Sequence, residues 1–514
     1  MERKGSNSRH VSIILCGTLA AAGILFLAGC CCTTKCPANL PASFDNNSDV
    51  GRVAHPGSVK PLENHRGYAI TGAGFNIWET EDAFHYLWKQ TSGDWSLKAK
   101  IQWEGKGKNE HRKAGWMIRQ DLTADSPYVD AVVHGNGLAS MQFRKVKGGT
   151  TDEIKSPISA PAFIWLERHG EVYTFSVSTD GKSYHSAGSV SVPLADAVYV
   201  GLAVCSHEDT ILETAVFSDI EMKSLGIHAM QDRIIESTLE TLSIETGQRE
   251  IVYRTETHIE APNWSRDGKT LLFNSGGGIY TIPVSGGTAK QLNTGFAIHC
   301  NNDHGLSPNG KELAVSHDQE GKSLIYILPS TGGTPRLVTE SGPSYWHGWS
   351  PDGKTLAYCA QRNNNYDIYT ISVKGGQETR LTDTEGLDDG PDYSPDGRTI
   401  YFNSVRTGAM RIWQMNSDGT NQAQMTKDDK YGDWFPHPSP DGKWIVFLSY
   451  DSSVEGHPAN KDVALRIMPA AGGEPKILTQ LFGGQGTINV PSWSPDSKRI
   501  AFVSYRLIGK TGKN

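Results

Sequence analysis

The sequence predicts an all-β protein: an antiparallel β-sandwich followed by a six-bladed β-propeller whose last blade is closed by strands from both ends of the repeat region. Three observations carry this. Short stretches alternate apolar and polar residues between 61 and 225, a turn motif recurs at near-constant interval from Ser265 onward, and neither region holds a helical stretch of useful length. The 514 residues exceed one small fold and point to two to four domains. Hydrophobic residues make up 37% and charged residues 20%, with 55 Gly and 25 Pro, which describes a turn-rich globular chain and excludes a disordered or multi-span membrane protein. The 49 basic and 56 acidic residues leave a net charge of −7, so nothing draws the chain to nucleic acid.

Residues 1–29 read as an export signal: Arg3, Lys4 and Arg9 precede an apolar run from Val11 to Leu27, and Leu27-Ala28-Gly29-Cys30 follows. A retained transmembrane helix is the alternative, although Gly17 and Gly23 interrupt the run. Small residues directly before a cysteine resemble the bacterial lipobox, which implies lipidation of Cys30 and an anchor in the cell envelope facing the periplasm or the exterior. Cys30, Cys31, Cys32 and Cys36 are too crowded in sequence for one tetrahedral metal site. Cys205, Cys300 and Cys359 are isolated and read as buried thiols. Residues 30–60, rich in Pro, Asn and Ser, read as a tether.

Between 61 and 225, segments such as Gly115-Trp116-Met117-Ile118-Arg119 and Val172-Tyr173-Thr174-Phe175-Ser176-Val177 alternate with period two. Turns such as Gly135-Asn136-Gly137 and Thr179-Asp180-Gly181 separate them, so an antiparallel sandwich follows. Together with Gly74-Phe75-Asn76-Ile77-Trp78 and Trp165-Leu166-Glu167-Arg168, these residues resemble the concanavalin-like jelly-roll domains of exported glycan-related proteins. Of the tryptophans here, Trp116 and Trp165 are expected in the core. Trp78, Trp88 and Trp95, among polar neighbours, are candidates for stacking on sugar rings.

From 228 to 514, Ser-Pro-Asp-Gly begins at Ser350, Ser394 and Ser439, with variants at Ser265, Ser307 and Ser494, at intervals of 42, 43, 44, 45 and 55 residues. This is the length of a four-stranded blade, and six copies give six blades. A second turn, Gly286-Gly287 in the first unit, occurs only five times after the first motif. The missing outer strands therefore lie upstream, around Thr241-Leu242-Ser243-Ile244 and Glu250-Ile251-Val252-Tyr253, and pair with the C-terminal inner strands. The Trp-Ser-Pro-Asp units at Trp349 and Trp493 resemble the propeller repeats of the TolB family. No G-x-S-x-G elbow follows the repeats, which argues against a prolyl-oligopeptidase-type enzyme.

Five residues before each motif serine the chain reads Glu260, Asn302, Tyr345, Asp389, Trp434 and Asn489, a constant offset that predicts one ring around the axis. Near it in sequence lie His299, Asp303, His304, Trp346, His347, Asp388, His437 and Gln485. Apolar residues would fill inner strands at lower desolvation cost, so the ring is read as a ligand site with Glu260, Asn302, Trp346, Asp389, Trp434 and Asn489 as binding residues. The alternative is a polar channel satisfied by water. A catalytic version has His304, His347, His437 and Gln485 holding a divalent manganese or zinc ion. His299, Asp388 and Asp389 are its candidate acid–base groups. It resembles oligogalacturonate lyase, a propeller enzyme with a histidine- and glutamine-bound metal. The function expected is an exported, lipid-anchored binding protein for a carbohydrate or envelope protein ligand; the alternative is a metal-dependent carbohydrate-active enzyme, a lyase before a hydrolase.

Overall fold

A computed structural model describes residues 44–63, 66–226 and 233–509. The export signal, Cys30 and the first part of the tether lie outside the described residues. Within them the protein is all-β, and no helix is long and apolar enough to cross a membrane.

Two seven-stranded antiparallel sheets fill the N-terminal half. The first runs Asn46–Val50, Phe84–Thr91, Val198–Cys205, Lys113–Arg119, Tyr128–His134, Ala139–Arg144 and Asp152–Lys155 in spatial order. The second runs His185–Ser191, Val172–Ser178, Phe163–His169, Asp94–Trp103, Glu208–Gly226, Gly67–Gly74 and Ser58–Pro61. Alternation along each strand sends one set of side chains between the sheets. Trp116, Ile118, Val129 and Met141 of the first meet Leu97, Ile164, Leu166 and Phe175 of the second in one core. Two edge strands, Asn46–Val50 and Ser58–Pro61, lie within the segment expected to be a tether. Their composition concealed them, because edge strands are mostly solvated and carry polar residues.

The tryptophans partly exchange roles. Trp116 is buried as expected, but Trp95 joins the same core, while Trp165 turns outward with Lys98 Nζ 4.4 Å from its ring centroid. Ile164 and Leu166 take the inward positions, and period two forces Trp165 to the other face.

The C-terminal half forms the propeller. Five four-stranded sheets follow one another, each with an innermost strand ending at a Ser-Pro-Asp-Gly-type turn: Glu260–Trp264, Cys300–Leu306, Ser344–Trp349, Asp388–Tyr393 and Tyr431–Pro438. The sixth blade is made from both ends of the region. Arg499–Gly509 pairs with Arg233–Ser243 along its whole length, and Arg249–Thr255 adds the outer edge. Only a bridge between Trp493 and Ile500 marks its innermost position.

The repeated motif is explained by the turn it builds. In the third blade Ser350 Oγ accepts from the Thr355 amide at 2.9 Å and donates to Asp352 Oδ1 at 2.7 Å, and the same carboxylate oxygen accepts from the Lys354 amide at 3.0 Å. Gly353 holds φ at 70°, a left-handed value that glycine adopts without a Cβ penalty. The same bonds recur at Ser394, Ser439 and Ser494. The preceding tryptophans join blades: Trp349 Nε1 donates to the Gly305 carbonyl at 3.0 Å, and Trp493 Nε1 to the His437 carbonyl at 2.9 Å.

The two halves touch along His185–Ser191. The Ser191 amide donates to Asp462 Oδ1 at 2.8 Å, the Phe482 amide to Ser189 Oγ at 3.0 Å, and Arg506 Nη1 lies 3.3 Å from Glu167 Oε2.

Candidate functional site

The innermost strands share an irregularity. In the first five blades the pairing with the second strand slips at the ring: between Glu260 and Asn263, Cys300 and His304, Trp346 and Gly348, Asp389 and Asp392, and Trp434 and His437. A bulge re-aims the side chains beside it. In three blades the residue just after the ring position is left-handed, with φ of 57° at Ala261, 62° at Gly390 and 54° at Phe435, a conformation strained at the two non-glycine positions. Neighbouring blades fix these bends. Asn274 Nδ2 donates to the Cys300 and Asn301 carbonyls, Ser316 Oγ accepts from the Trp346 amide, and Asn403 Oδ1 accepts from the Phe435 amide at 2.9 Å. The Tyr505 hydroxyl completes the circuit from the sixth blade by donating to the Ile259 carbonyl at 2.9 Å.

The bends open an axial cavity of about 560 Å³. Glu260, Asn301, Asn302, Asp303, Tyr345, His347, Cys359, Tyr366, Leu387, Asp389, Phe435, His457 and Gln485 line it. Its volume suits a small ligand or the end of a longer one.

The lining is strongly acidic and largely buried. His347 Nε2 stands 3.0 Å from Asp389 Oδ1, and the Gly390 amide donates to the same oxygen at 2.7 Å. Burial works against both charges. The carboxylates, with Asp389 foremost, nevertheless hold the His347 imidazolium above its ordinary pKa, and His347 holds Asp389 below its own. Asp303 takes hydrogen bonds from neutral amides, Asn301 Nδ2 at 2.8 Å and Asn489 Nδ2 at 3.0 Å. Burial pushes Asp303 up to about 6 despite the opposing pull of His347. Glu260 is held only by Asn302 Nδ2 at 3.4 Å; burial and the nearby Asp303 charge push it up to about 7. Burial also keeps the Cys359 thiol well above its ordinary range, so it is no nucleophile at neutral pH. Tyr345 is pushed up to about 12, chiefly by burial, and stays a phenol. Phe435 stacks on the His347 ring at 6.0 Å between centroids.

Comparison with known proteins follows the same division of the chain. The TolB β-propeller domain matches residues 347–464. An uncharacterized protein of Agrobacterium fabrum is 54% identical over 273 residues, which is 53% of this chain and 93% of that protein. The chain belongs to the TolB-like β-propeller family. A solved structure from Agrobacterium tumefaciens, provisionally assigned to TolB, is 53% identical and superimposes with a TM-score of 0.52 over 53% of this chain and 99% of that one. The Tol-Pal system protein TolB of Francisella tularensis is 32% identical over 129 residues, and the chain spans 29% of its length.

In this TolB-like propeller four of the six predicted ring positions, Glu260, Asn302, Tyr345 and Asp389, line the cavity, joined by His347 and Gln485. The other expected site residues scatter. Asn489 is fully buried behind the wall, orienting Asp303, and Trp434 is buried with its ring 4.4 Å from that of His457. Trp346 lines a second cavity, of about 270 Å³, at the turn ends of the innermost strands, alongside Trp349, Trp493 and the motif prolines. Asp388 points away from Asp389 into an ion pair with Arg406 at 2.7 Å, as period two requires of adjacent strand residues, so the two are no acid–base pair. His299 is exposed and stacks on His317.

The four expected metal ligands do not form one set. His304 is fully buried with Nδ1 against the Asn302 carbonyl at 3.1 Å. His437 is buried with Nδ1 3.2 Å from Asp392 Oδ2, and only His347 and Gln485 reach the axial cavity. Among the described residues no group of three or more His, Cys, Asp or Glu side chains is placed to hold a metal ion. The bulges are the reason: His304 and His347 share one offset from their serines, yet the slip falls between Cys300 and His304 in one blade and between Trp346 and Gly348 in the other, and only His347 faces the cavity. Sequence reasoning missed Tyr366, at the start of the third strand of its blade, and His457, in the loop joining the second and third strands of the next but one. Loops between those strands vary in length and carry no repeat signal. Phe435 lies one residue past the constant offset, which selects Trp434 instead.

Proposed function

We propose that the protein is an envelope binding protein, lipid-anchored through Cys30, that captures a glycan or another envelope ligand in the axial cavity of its propeller. One observation carries the reading: side chains from five blades, together with Gln485 from the segment entering the sixth, converge on one cavity. Hydrogen-bonding amides and carboxylates stand there beside aromatic rings, the combination that takes polyhydroxylated ligands. The envelope location is supported by the Leu27-Ala28-Gly29-Cys30 sequence and by similarity to a protein named for the Tol-Pal system. The two-sheet N-terminal half, read as a concanavalin-like module, gives the anchored propeller a second surface for the same class of ligand.

The uronate-lyase reading is disfavoured by charge. A uronate is an anion, and the cavity presents three carboxylates and no lysine or arginine among its lining residues.

Isothermal titration of the full chain against envelope oligosaccharides tests the proposal. Saturable binding that Asn302→Ala weakens at least tenfold is expected; binding unchanged by Asn302→Ala overturns the axial assignment. Incorporation of labelled fatty acid, lost in Cys30→Ala, tests the anchor.

A further inference from the structure

Buried carboxylates in this protein are as a rule matched by a cation. Asp82 sits 2.8 Å from Arg144, Glu213 2.6 Å from Arg112, Glu240 2.5 Å from Arg249, and Asp433 3.2 Å from Arg466. Even on the axial strands Asp388 has Arg406, Asp389 has His347 and Asp392 has His437. Asp130, in the first sheet, lacks one, and in the propeller Glu260 and Asp303 break the rule. Among the described residues no Lys, Arg or His lies within ion-pair distance of either, and their hydrogen bonds come from neutral asparagine amides, which orient a carboxylate without cancelling its charge.

His347 does not fill the gap. Its Nε2 is committed to Asp389, and its Nδ1 has no hydrogen-bond partner although the side chain is 2% exposed. The cavity thus holds one internal ion pair and two further carboxylates in a partly aromatic wall. A metal ion is a poor answer, since the donors do not converge as a ligand set. A compact monovalent cation with its own hydrogen-bond donors fits better. An ammonium group carries three donors and a point charge, and Tyr345, Tyr366 and Phe435 supply aromatic faces that attract a cation and stack on the ring bearing it. Gln485 lines the same cavity and offers an amide to the hydroxyls of such a ring.

We propose that the axial cavity is selective for an amino sugar, whose free ammonium group is taken by Glu260 and Asp303. This rests on the axial binding reading and specifies its ligand. It carries a linkage consequence: burial holds Glu260 up near 7 and Asp303 up near 6, and a bound cation favours their ionised forms. Binding therefore releases protons, and affinity for an amine that stays protonated rises as pH rises from 5 to 8.

The test is isothermal titration of the full chain with a glucosamine disaccharide and its N-acetylated counterpart, repeated in two buffers of different ionisation heat to count protons released. At pH 6, where the sugar amine is already an ammonium, tighter binding of the unacetylated disaccharide by at least tenfold, with net proton release, is expected. Glu260→Gln and Asp303→Asn should each reduce that preference at least tenfold, with unchanged melting curves showing that the variants fold. Nα-acetyl-lysine amide, whose amine stays protonated across this range, supplies the pH profile as a weak probe of the charge alone. Equal binding of the acetylated and free sugars overturns the inference while leaving axial glycan binding standing. Binding of neither sugar removes both.

Discussion

Glu260 and Asp303 are folded into a place that raises their proton affinity, and a sign for stability follows. A carboxyl whose folded pKa lies above its unfolded value binds more protons when folded, so its contribution becomes unfavourable as pH rises from the unfolded value, near 4, through the folded value, about 7 for Glu260 and about 6 for Asp303. Glu260→Gln is therefore expected to stabilise the ligand-free protein at pH 8, by roughly 1–3 kcal/mol, and to change little at pH 4. Urea denaturation at the two pH values checks this, and destabilisation at pH 8 would contradict the desolvated placement. Asp389 is the counterpart. His347 holds it below its ordinary value, so Asp389→Asn is expected to destabilise at pH 7, leaving the His347 imidazolium buried without its partner. At this scale the sequence was informative about which positions face the axis and uninformative about which are paired. The constant offset from the motif serine located Glu260 and Asp389. Nothing in their neighbouring residues distinguished the carboxylate with an imidazole partner from the one without.

Single elements hold the ring in shape through backbone conformation as much as through contacts. Gly390 has φ of 62°, and a Cβ there would meet Asn403 Oδ1 at 2.6 Å, the atom that accepts from the Phe435 amide. Gly390→Ala is expected to destabilise by roughly 2 kcal/mol, from left-handed strain together with loss of that blade-to-blade bond, and to weaken axial binding through displacement of Asp389. Chemical denaturation and ligand titration on the same sample measure both. The motif turns behave independently of the site. Ser350→Ala removes two bonds of one turn and should cost about 1 kcal/mol while leaving ligand affinity unchanged. The turns were legible because their chemistry is local: serine, aspartate and glycine at fixed offsets close a loop of a few residues. The bulges were not legible, because they depend on bonds from the adjoining blade, such as Asn274 to the Cys300 and Asn301 carbonyls.

For the whole molecule, closure is the decisive contact. Leu239 is fully buried opposite Val503 in the pairing that joins the start of the propeller to its end. Leu239→Asp is expected to destabilise by roughly 3 kcal/mol or more, since it buries a charge and opens the ring at its only non-sequential blade. A lowered denaturation midpoint with loss of axial binding is the expected readout.

Fold class, blade number and the pairing of chain ends were fixed by the amino-acid sequence alone, because each rests on short-range periodicity or on counting repeats. The same reasoning failed for the four metal candidates, of which two reach the cavity and two are buried behind it. Strand bulges rotate side chains by amounts that no spacing encodes, and those bulges are set by side chains of the adjoining blade, 26 to 32 residues away. Which polar residues share a cavity, and which of its carboxylates lack a counter-charge, was therefore decided only when the blades closed around the axis.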